Sequence, residues 1–344
     1  MQFIKPDINI DFIGKRKIAY TVSAACILIT FLLLLFQGGL KYGIDFAGGT
    51  VIQIKFQNAV AIDNIKAGLG TLKLGHSSVQ RFGEREDNEF LIRTDRFDMP
   101  IEEYTKQIEA ALASAGGGSV EIRRVEMVGP QVGKDLREKA AFALFYTLLF
   151  IAIYISGRFE MKWMLSGVMA AALIGTVYFL SLLGVSIPYL IAAALALTLV
   201  LFWILSLKYA MGAIVALIHD VIITVGVFAV FDKEFTLPIV AALLTIVGYS
   251  LNDTIIVFDR IRENLKKQHK SPFDIIINRS VNETLSRTLL TAGTTLIVLI
   301  ALLILGGGII HDFAFALTIG VVVGTYSSVY VASPILMAWS RKQK

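Results

Sequence analysis

Two aspartates stand where almost everything around them is apolar. Asp220 lies near the middle of an uncharged run at 209–231, and Asp253 follows within Gly248-Tyr-Ser-Leu-Asn-Asp-Thr254. An ionised carboxylate at the centre of a bilayer costs roughly 2.5–3.5 kcal/mol on insertion scales, so one kept there is expected to work. The expected work is a proton or ion relay; the alternative is a protonated aspartate that only fixes helix packing. Asn252 and Asp253 fall about two turns inside the end of their apolar run, at 1.5 Å per residue, before Asp259-Arg260-Ile-Arg-Glu-Asn264. Asn252, Asp253 and Thr254 are therefore expected to continue a polar seam from Asp220, with Arg260 at its charged end. His219 adjoins Asp220, but neighbours on a helix point about 100° apart, so the spacing predicts a packing histidine rather than a His-Asp couple.

Other chemistries fail on spacing. An intramembrane aspartyl protease would let Asp220 and Asp253 share a proton, yet Asp253 follows Tyr-Ser-Leu-Asn rather than Gly-x-Gly. The four histidines, His76, His219, His269 and His311, form no His-Glu-x-x-His zinc site. Gly43-Ile-Asp-Phe-Ala-Gly-Gly-Thr50 lacks the Gly-Lys-Ser/Thr ending of a nucleotide loop. Its glycines are expected to serve a tight entry into a strand. The single cysteine, Cys26, excludes a disulfide framework. No cofactor, no metal and no catalytic residue is expected.

The elements that position these residues follow from composition. The chain has 344 residues, 56% hydrophobic and 17% charged, with a mean hydropathy of +0.69. Several apolar runs exceed the roughly 18 residues that mark a membrane span, which rules out an ordinary soluble enzyme. A run from Ile18 to Phe36 follows the basic stretch at 1–17. It exceeds the h-region of a signal peptide and lacks a small-x-small cleavage site, so it reads as a retained first span. Further runs at about 140–156, 163–184, 187–207, 209–231, 237–258, 288–306 and 313–339 make about eight spans.

Basic residues then alternate between loops. Arg158 and Lys162, Lys208, the loop at 259–287, and Arg341, Lys342 and Lys344 in the tail at 340–344 fall on one side. The opposite loops, Gly184 to Ile187, Asp232 to Thr236 and Gly306 to Asp312, hold only Lys233. The positive-inside rule places the basic side, with both termini, in the cytoplasm. The formal charge of +5 comes with no interleaving of aromatic and basic residues, so no nucleic-acid partner is expected.

Between the first two spans, 41–134 has the composition of a small globular domain. Thr50 to Phe56 alternates as a strand, Val60 to Leu72 is helix-like, Ser78 to Phe82 and Glu89 to Thr94 flank a polar turn at Gly83 to Asn88, Pro100 to Ala115 is a helix, and Ser119 to Met127 is a last strand. This βαββαβ order is the ferredoxin-like split pattern. The domain reads as a packing module or as a surface that meets substrate, with nothing catalytic in it. The fold class is a polytopic α-helical membrane protein with one α+β ferredoxin-like domain outside the cytoplasm, and a helical bundle at 138–339.

Five segments together resemble SecF, the partner of SecD in bacterial Sec translocation and a member of the RND transporter superfamily. They are Phe3-Ile-Lys-Pro-Asp-Ile-Asn-Ile-Asp-Phe-Ile-Gly-Lys-Arg-Lys17, the Gly43–Thr50 segment, Val128-Gly-Pro-Gln-Val-Gly133, Leu217-Ile-His-Asp-Val-Ile-Ile-Thr224, and Gly248 through Asn264. The resemblance implies a non-enzymatic helper, driven by the proton motive force, that acts with SecD beside the SecYEG channel. It would draw unfolded preproteins across the cytoplasmic membrane after the SecA motor has pushed. Lipid would surround it, the loop domain would be periplasmic, and Asp220 would be the family's intramembrane acid. The chain departs from the usual six spans by an extra hairpin at about 164–207. A small-molecule or lipid exporter of the RND type is the alternative, although such chains normally carry two large insertions.

Overall fold

The computed structural model describes residues 8–72, 74, 77–82, 87–94, 100–113, 118–161, 163–268 and 271–340. His76, His269, Lys162, most of the turn at 83–88, the helix end at 114–115 and the basic tail beyond 340 lie outside the described residues. The chain divides into two compact units: one of residues 42–139 with 307–309, the other of the remaining residues.

In the smaller unit a short helix, α2 (Ile44–Ala47), leads into strand β1 (Gly49–Phe56). Helix α3 (Ile62–Gly70), β2 (Ser78–Phe82), β3 (Glu89–Thr94), α4 (Ile101–Ala113) and β4 (Val120–Val128) follow. The sheet order is β2-β3-β1-β4 with every pair antiparallel, the ferredoxin-like arrangement that the alternation predicts. Inward positions alternate along each strand: Ile52, Ile54 and Phe56 on β1, Phe90 and Ile92 on β3. Both helices cover this one face, α3 with Ile65 and Leu69 and α4 with Tyr104, Ile108 and Leu112, at the four-residue spacing of a helix stripe. Each such aliphatic or aromatic side chain contributes about 1.5–3 kcal/mol on burial, enough together to close the unit around its own core. At the entry, Gly48 and Gly49 have φ of +80° and +115°. A Cβ on Gly48 would stand 2.9 Å from the Pro130 Cα, so only glycine meets both demands.

The larger unit is helical. It holds α1 (Arg16–Phe36), most of α5 (Pro130–Glu160), α6 (Trp163–Leu182), α7 (Ile187–Ile204), α8 (Lys208–Val230), α9 (Leu237–Lys267), α10 (Phe273–Leu305) and most of α11 (Gly308–Ser327). A five-residue π-turn at Ser328–Ala332 joins α11 to α12 (Ser333–Ser340). Among the described residues seven helices are long and apolar enough to cross a membrane: α1, α5, α6, α8, α9, α10 and the stretch Gly308–Trp339. The eighth apolar run forms the shorter helix α7. Most of the stretch 259–287 is helical, taken up by the end of α9 and the start of α10 around a short connection.

Helix α8 is the centre of the bundle, buried along most of its length from Tyr209 to Ala229. The basic ends of the helices gather at one end of this unit. Arg158 of α5 meets Asp259 of α9 at 2.6 Å. The carboxamides of Asn278 and Asn282 on α10 clip the N-terminal arm: Asn282 Oδ1 accepts the Ile10 N–H at 2.8 Å and Asn278 Oδ1 the Phe12 N–H at 2.9 Å. At the other end Lys41 pairs with Asp232, and Lys233 with Asp312, each at 2.6 Å.

Candidate functional site

Asp220 is fully buried on the middle of α8, and three other helices converge on its carboxylate or on its neighbour's ring. Its Oδ2 accepts hydrogen bonds from Ser250 Oγ of α9 at 2.5 Å and Ser327 Oγ of α11 at 2.8 Å. Its Oδ1 lies 2.9 Å from His219 Nδ1. The other imidazole nitrogen, Nε2, is 3.0 Å from Ser23 Oγ on α1, and that hydroxyl is 3.1 Å from the Tyr326 phenol of α11. Tyr326 donates onward to the Ala19 carbonyl at 2.8 Å, and its ring stacks on His219 at 6.0 Å with 20° between planes.

Asp253, one layer away on α9, has a separate set of donors. Thr288 Oγ1 of α10 donates to Oδ1 at 2.6 Å and Ser328 Oγ to Oδ2 at 2.7 Å. Among the described residues neither aspartate forms an ion pair with a lysine or arginine. Asp253 is thus met by two hydroxyls, and Asp220 by two hydroxyls and an imidazole nitrogen.

Local sequence explains the convergence. Ser327 and Ser328 are consecutive, and the roughly 100° between successive helix positions sends one toward α8 and the other toward α9. They sit at the start of the widened turn, where Ser333 Oγ takes up the Ser328 carbonyl at 2.8 Å. Single π-turns in α-helices recur at functional sites. Gly324 lets α11 approach α9, because a Cβ there would sit 2.9 Å from the Ser250 Cβ.

The expected relay residues divide. Asp220 and Asp253 lie in the same seam, and Thr254 is buried beside Asp253 but reaches neither carboxylate. Asn252 is not in the seam: it is exposed on the other side of α9, since a residue adjacent to an inward one must rotate away from the bundle interior. Arg260 is not in it either. Its guanidinium pairs with Glu283 at 2.6 Å and Glu263 at 2.7 Å, at the charged end where Asn264 also bonds Glu283 at 2.7 Å; there it holds α9 to α10.

His219 corrects the expectation of a packing residue. The imidazole and the carboxylate both hang on short stems, so the ring edge reaches across the angular gap between neighbouring positions. Ser23, Ser250, Thr288, Tyr326, Ser327 and Ser328 complete the site. Single hydroxyls in apolar helices give no signal of which will face a carboxylate.

Comparisons with known proteins agree with this architecture. The family described as "Protein export membrane protein SecD/SecF, C-terminal" matches residues 107–199 and 186–342, and the SecD/SecF GG motif matches 33–60, around the Gly48-Gly49 entry. The protein translocase subunit SecF of Calditerrivibrio nitroreducens is 42% identical over 340 residues, covering 98% of this chain and 96% of that protein. That of Magnetococcus marinus is 43% identical over 341 residues, covering 98% and 94%. Among solved structures, SecDF of Thermus thermophilus, a translocon-associated membrane protein, matches with a TM-score of 0.72 at 30% identity. The match covers 98% of this chain and 40% of that longer one. A second SecDF structure, in a super-membrane-facing form, matches with a TM-score of 0.58. A bundle built around buried aspartates, a glycine-entered four-stranded sheet and this near full-length identity all lead to one placement: the chain is a multi-pass membrane protein of the SecD/SecF protein-export family.

Proposed function

We propose that this chain acts as the SecF-type subunit of the Sec translocase. With a SecD-type partner it uses the proton motive force to promote preprotein export through a SecYEG-type channel, after the SecA-driven step. The observation that carries this reading is the Asp220 carboxylate, buried at the centre of the bundle and held by donors from α8, α9 and α11. Moving one elementary charge through 100 mV is worth about 2.3 kcal/mol, comparable with the cost of an ionised carboxylate at that depth. Protonation and deprotonation there can therefore reset how the three helices meet. A nitrogen in direct contact with Oδ1 suits a proton better than a hard cation, which prefers an all-oxygen shell.

The partner has a seat on α9. Ala241, Thr245, Gly248 and Asn252 form one exposed stripe along that helix, and small and polar residues are how helices associate within a bilayer. An exposed Asn252 facing hydrocarbon alone would leave its carboxamide unsatisfied. The solved SecDF chain, of which this one spans 40%, supports a SecD-type chain as the occupant. In this reading the basic helix ends and both termini face the cytoplasm, the sheet unit stands on the outer side, and Asp253 with Thr254 lies between Asp220 and the cytoplasmic end.

The reading is non-enzymatic. An aspartyl protease needs two carboxylates that share a proton directly, whereas here each has its own hydroxyls. A small-molecule exporter of the RND type is disfavoured by the single small sheet unit and by relatives that are translocase subunits.

Export into inverted membrane vesicles tests the proposal. Asp220→Asn is expected to leave abundance and partner assembly normal while abolishing the part of preprotein export that responds to an imposed gradient. Parental gradient-driven export in that variant would overturn it.

A further inference from the structure

We infer that the proton-binding unit is the His219–Asp220 pair rather than Asp220 alone. Its contacts match the proton-loaded form, and Ser23 and Tyr326 report its state to α1. This rests on the proposed gradient-driven role and names the groups that carry it.

The inference follows from counting protons. Four contacts run in series: Asp220 Oδ1 to His219 Nδ1, His219 Nε2 to Ser23 Oγ, Ser23 Oγ to the Tyr326 phenol, and Tyr326 to the Ala19 carbonyl. Each contact needs one hydrogen. A carbonyl only accepts, so the Tyr326 hydrogen points at Ala19. Ser23 must then donate to Tyr326, and His219 must donate from Nε2 to Ser23. One contact is left, at 2.9 Å between His219 Nδ1 and Asp220 Oδ1. With Asp220 ionised and His219 neutral there are only three hydrogens for four contacts. The fourth must be an extra proton, on Asp220 Oδ1 beside neutral imidazole or on Nδ1 as imidazolium beside carboxylate. A proton on Oδ2, which faces the Ser250 and Ser327 hydroxyls, would leave the Oδ1–Nδ1 contact without a hydrogen, so the extra proton sits within that contact. The two placements are tautomers of one coupled site.

Loss of that proton has a defined consequence. The hydrogen left in the pair lies on Nδ1, directed at the carboxylate, and Nε2 becomes an acceptor. Ser23 then turns its hydrogen to Nε2, and to keep the Ser23 contact Tyr326 must turn its own hydrogen from Ala19 to Ser23. The bond between Tyr326 of α11 and the α1 backbone is thereby broken. A charge change at mid-bundle becomes a change in how α1 meets α11, the helix whose Ser327 also holds Asp220. In the reverse direction, a proton received at the Tyr326 oxygen passes its hydrogen to Ser23, and Ser23 passes its own to Nε2. Among the described residues the titratable groups facing the pair are few. Tyr326 and Tyr330 come from the α11 side, with rings 5.1 Å apart, and Asp253 comes from α9. Helix α1 offers Ser23 there, its cations Arg16 and Lys17 standing about two turns away.

The test uses the full chain with its partner chain in lipid. Solid-state NMR of 15N-histidine, with His219 assigned by its loss in His219→Asn, reads both ring nitrogens across pH. The expected result is Nε2 protonated at low pH, switching to the Nδ1–H tautomer as pH rises, with the switch absent in Asp220→Asn. In vesicles, Tyr326→Phe is expected to lower gradient-driven export roughly tenfold, the worth of about one hydrogen bond, and to displace its pH profile. A merely structural role would leave that profile in place. A His219 tautomer that does not change with pH, or a parental pH profile in both Tyr326→Phe and Ser23→Ala, would overturn the inference. If Asp220→Asn is inactive while those results hold, the gradient-driven role survives without the histidine; if Asp220→Asn exports normally, the role itself has failed.

Discussion

The seam helices and the hairpin α6–α7 are equally helical and comparably apolar, yet they treat buried polarity in opposite ways. In the hairpin the buried hydroxyls meet only neutral partners. Ser166 bonds Ser156 of α5 at 2.6 Å, and Thr198 returns to the Ala194 carbonyl of its own helix at 2.7 Å. Around Asp220 a charge-bearing group draws donors from other helices, and around Asp253 the same is true of Thr288 and Ser328. Local back-bonding satisfies a polar group wherever the helix goes, whereas a shared carboxylate ties the helices' positions to its protonation state. The hairpin is packed, with Leu173 and Phe202 fully buried, but it brings no buried charge and its two ends meet. Glu160 Oε1 accepts the Tyr209 N–H at 3.1 Å, and the Phe159 and Tyr209 rings stack at 5.2 Å. The helix start that leads to Asp220 is therefore capped from α5, across the insertion.

Three changes break or sharpen this contrast, in descending order of effect. Gly324→Leu forces a side chain into Ser250 and separates α11 from α9; overpacking of this kind costs about 1–3 kcal/mol. We expect a lower thermal-aggregation midpoint in detergent and no gradient response, against little change for Gly293→Leu, where a Cβ meets nothing within 4 Å. Asp253→Asn keeps one accepting oxygen for Thr288 and turns an NH2 donor toward Ser328, whose own hydrogen still has the Thr325 carbonyl, and it removes a charge from the seam. Gradient-driven export is expected to fall partway, with assembly normal, as read in the same vesicles. Deleting Met164 to Leu207 should matter least. Met161 to Trp163 can span at most ~10 Å, and the two ends already touch, so membrane insertion is expected to persist with a modest loss of stability measured by protease resistance.

Legibility in the sequence follows the physics that each residue obeys. Long apolar runs, and the cost of an aspartate inside one, are visible in residue types alone, so most of the spans and the place of Asp220 are readable. The strands at Thr50–Phe56 and Glu89–Thr94 are readable because a one-sided sheet enforces alternation. Asn252 is deep enough for the seam yet faces away from it, because depth along a helix is visible in sequence but azimuth is not. Arg260 is near the seam in sequence only, since its partner Glu283 comes from α10. His219 escapes the spacing argument because helical neighbours diverge at Cβ, a rule that does not bind two polar groups on short stems. Ser23 and Tyr326 are separated by 303 positions, and nothing in either local sequence announces the other.

The most direct measurement of the central claim sets Asp220→Asn beside the Met164–Leu207 deletion in matched inverted vesicles, each with its partner chain. Preprotein export is followed with and without an imposed proton gradient. The account predicts that Asp220→Asn loses the gradient-dependent component entirely while the deletion keeps most of it. A deletion that loses the gradient response at normal abundance, with Asp220→Asn retaining it, would place the working element in the hairpin and contradict the account.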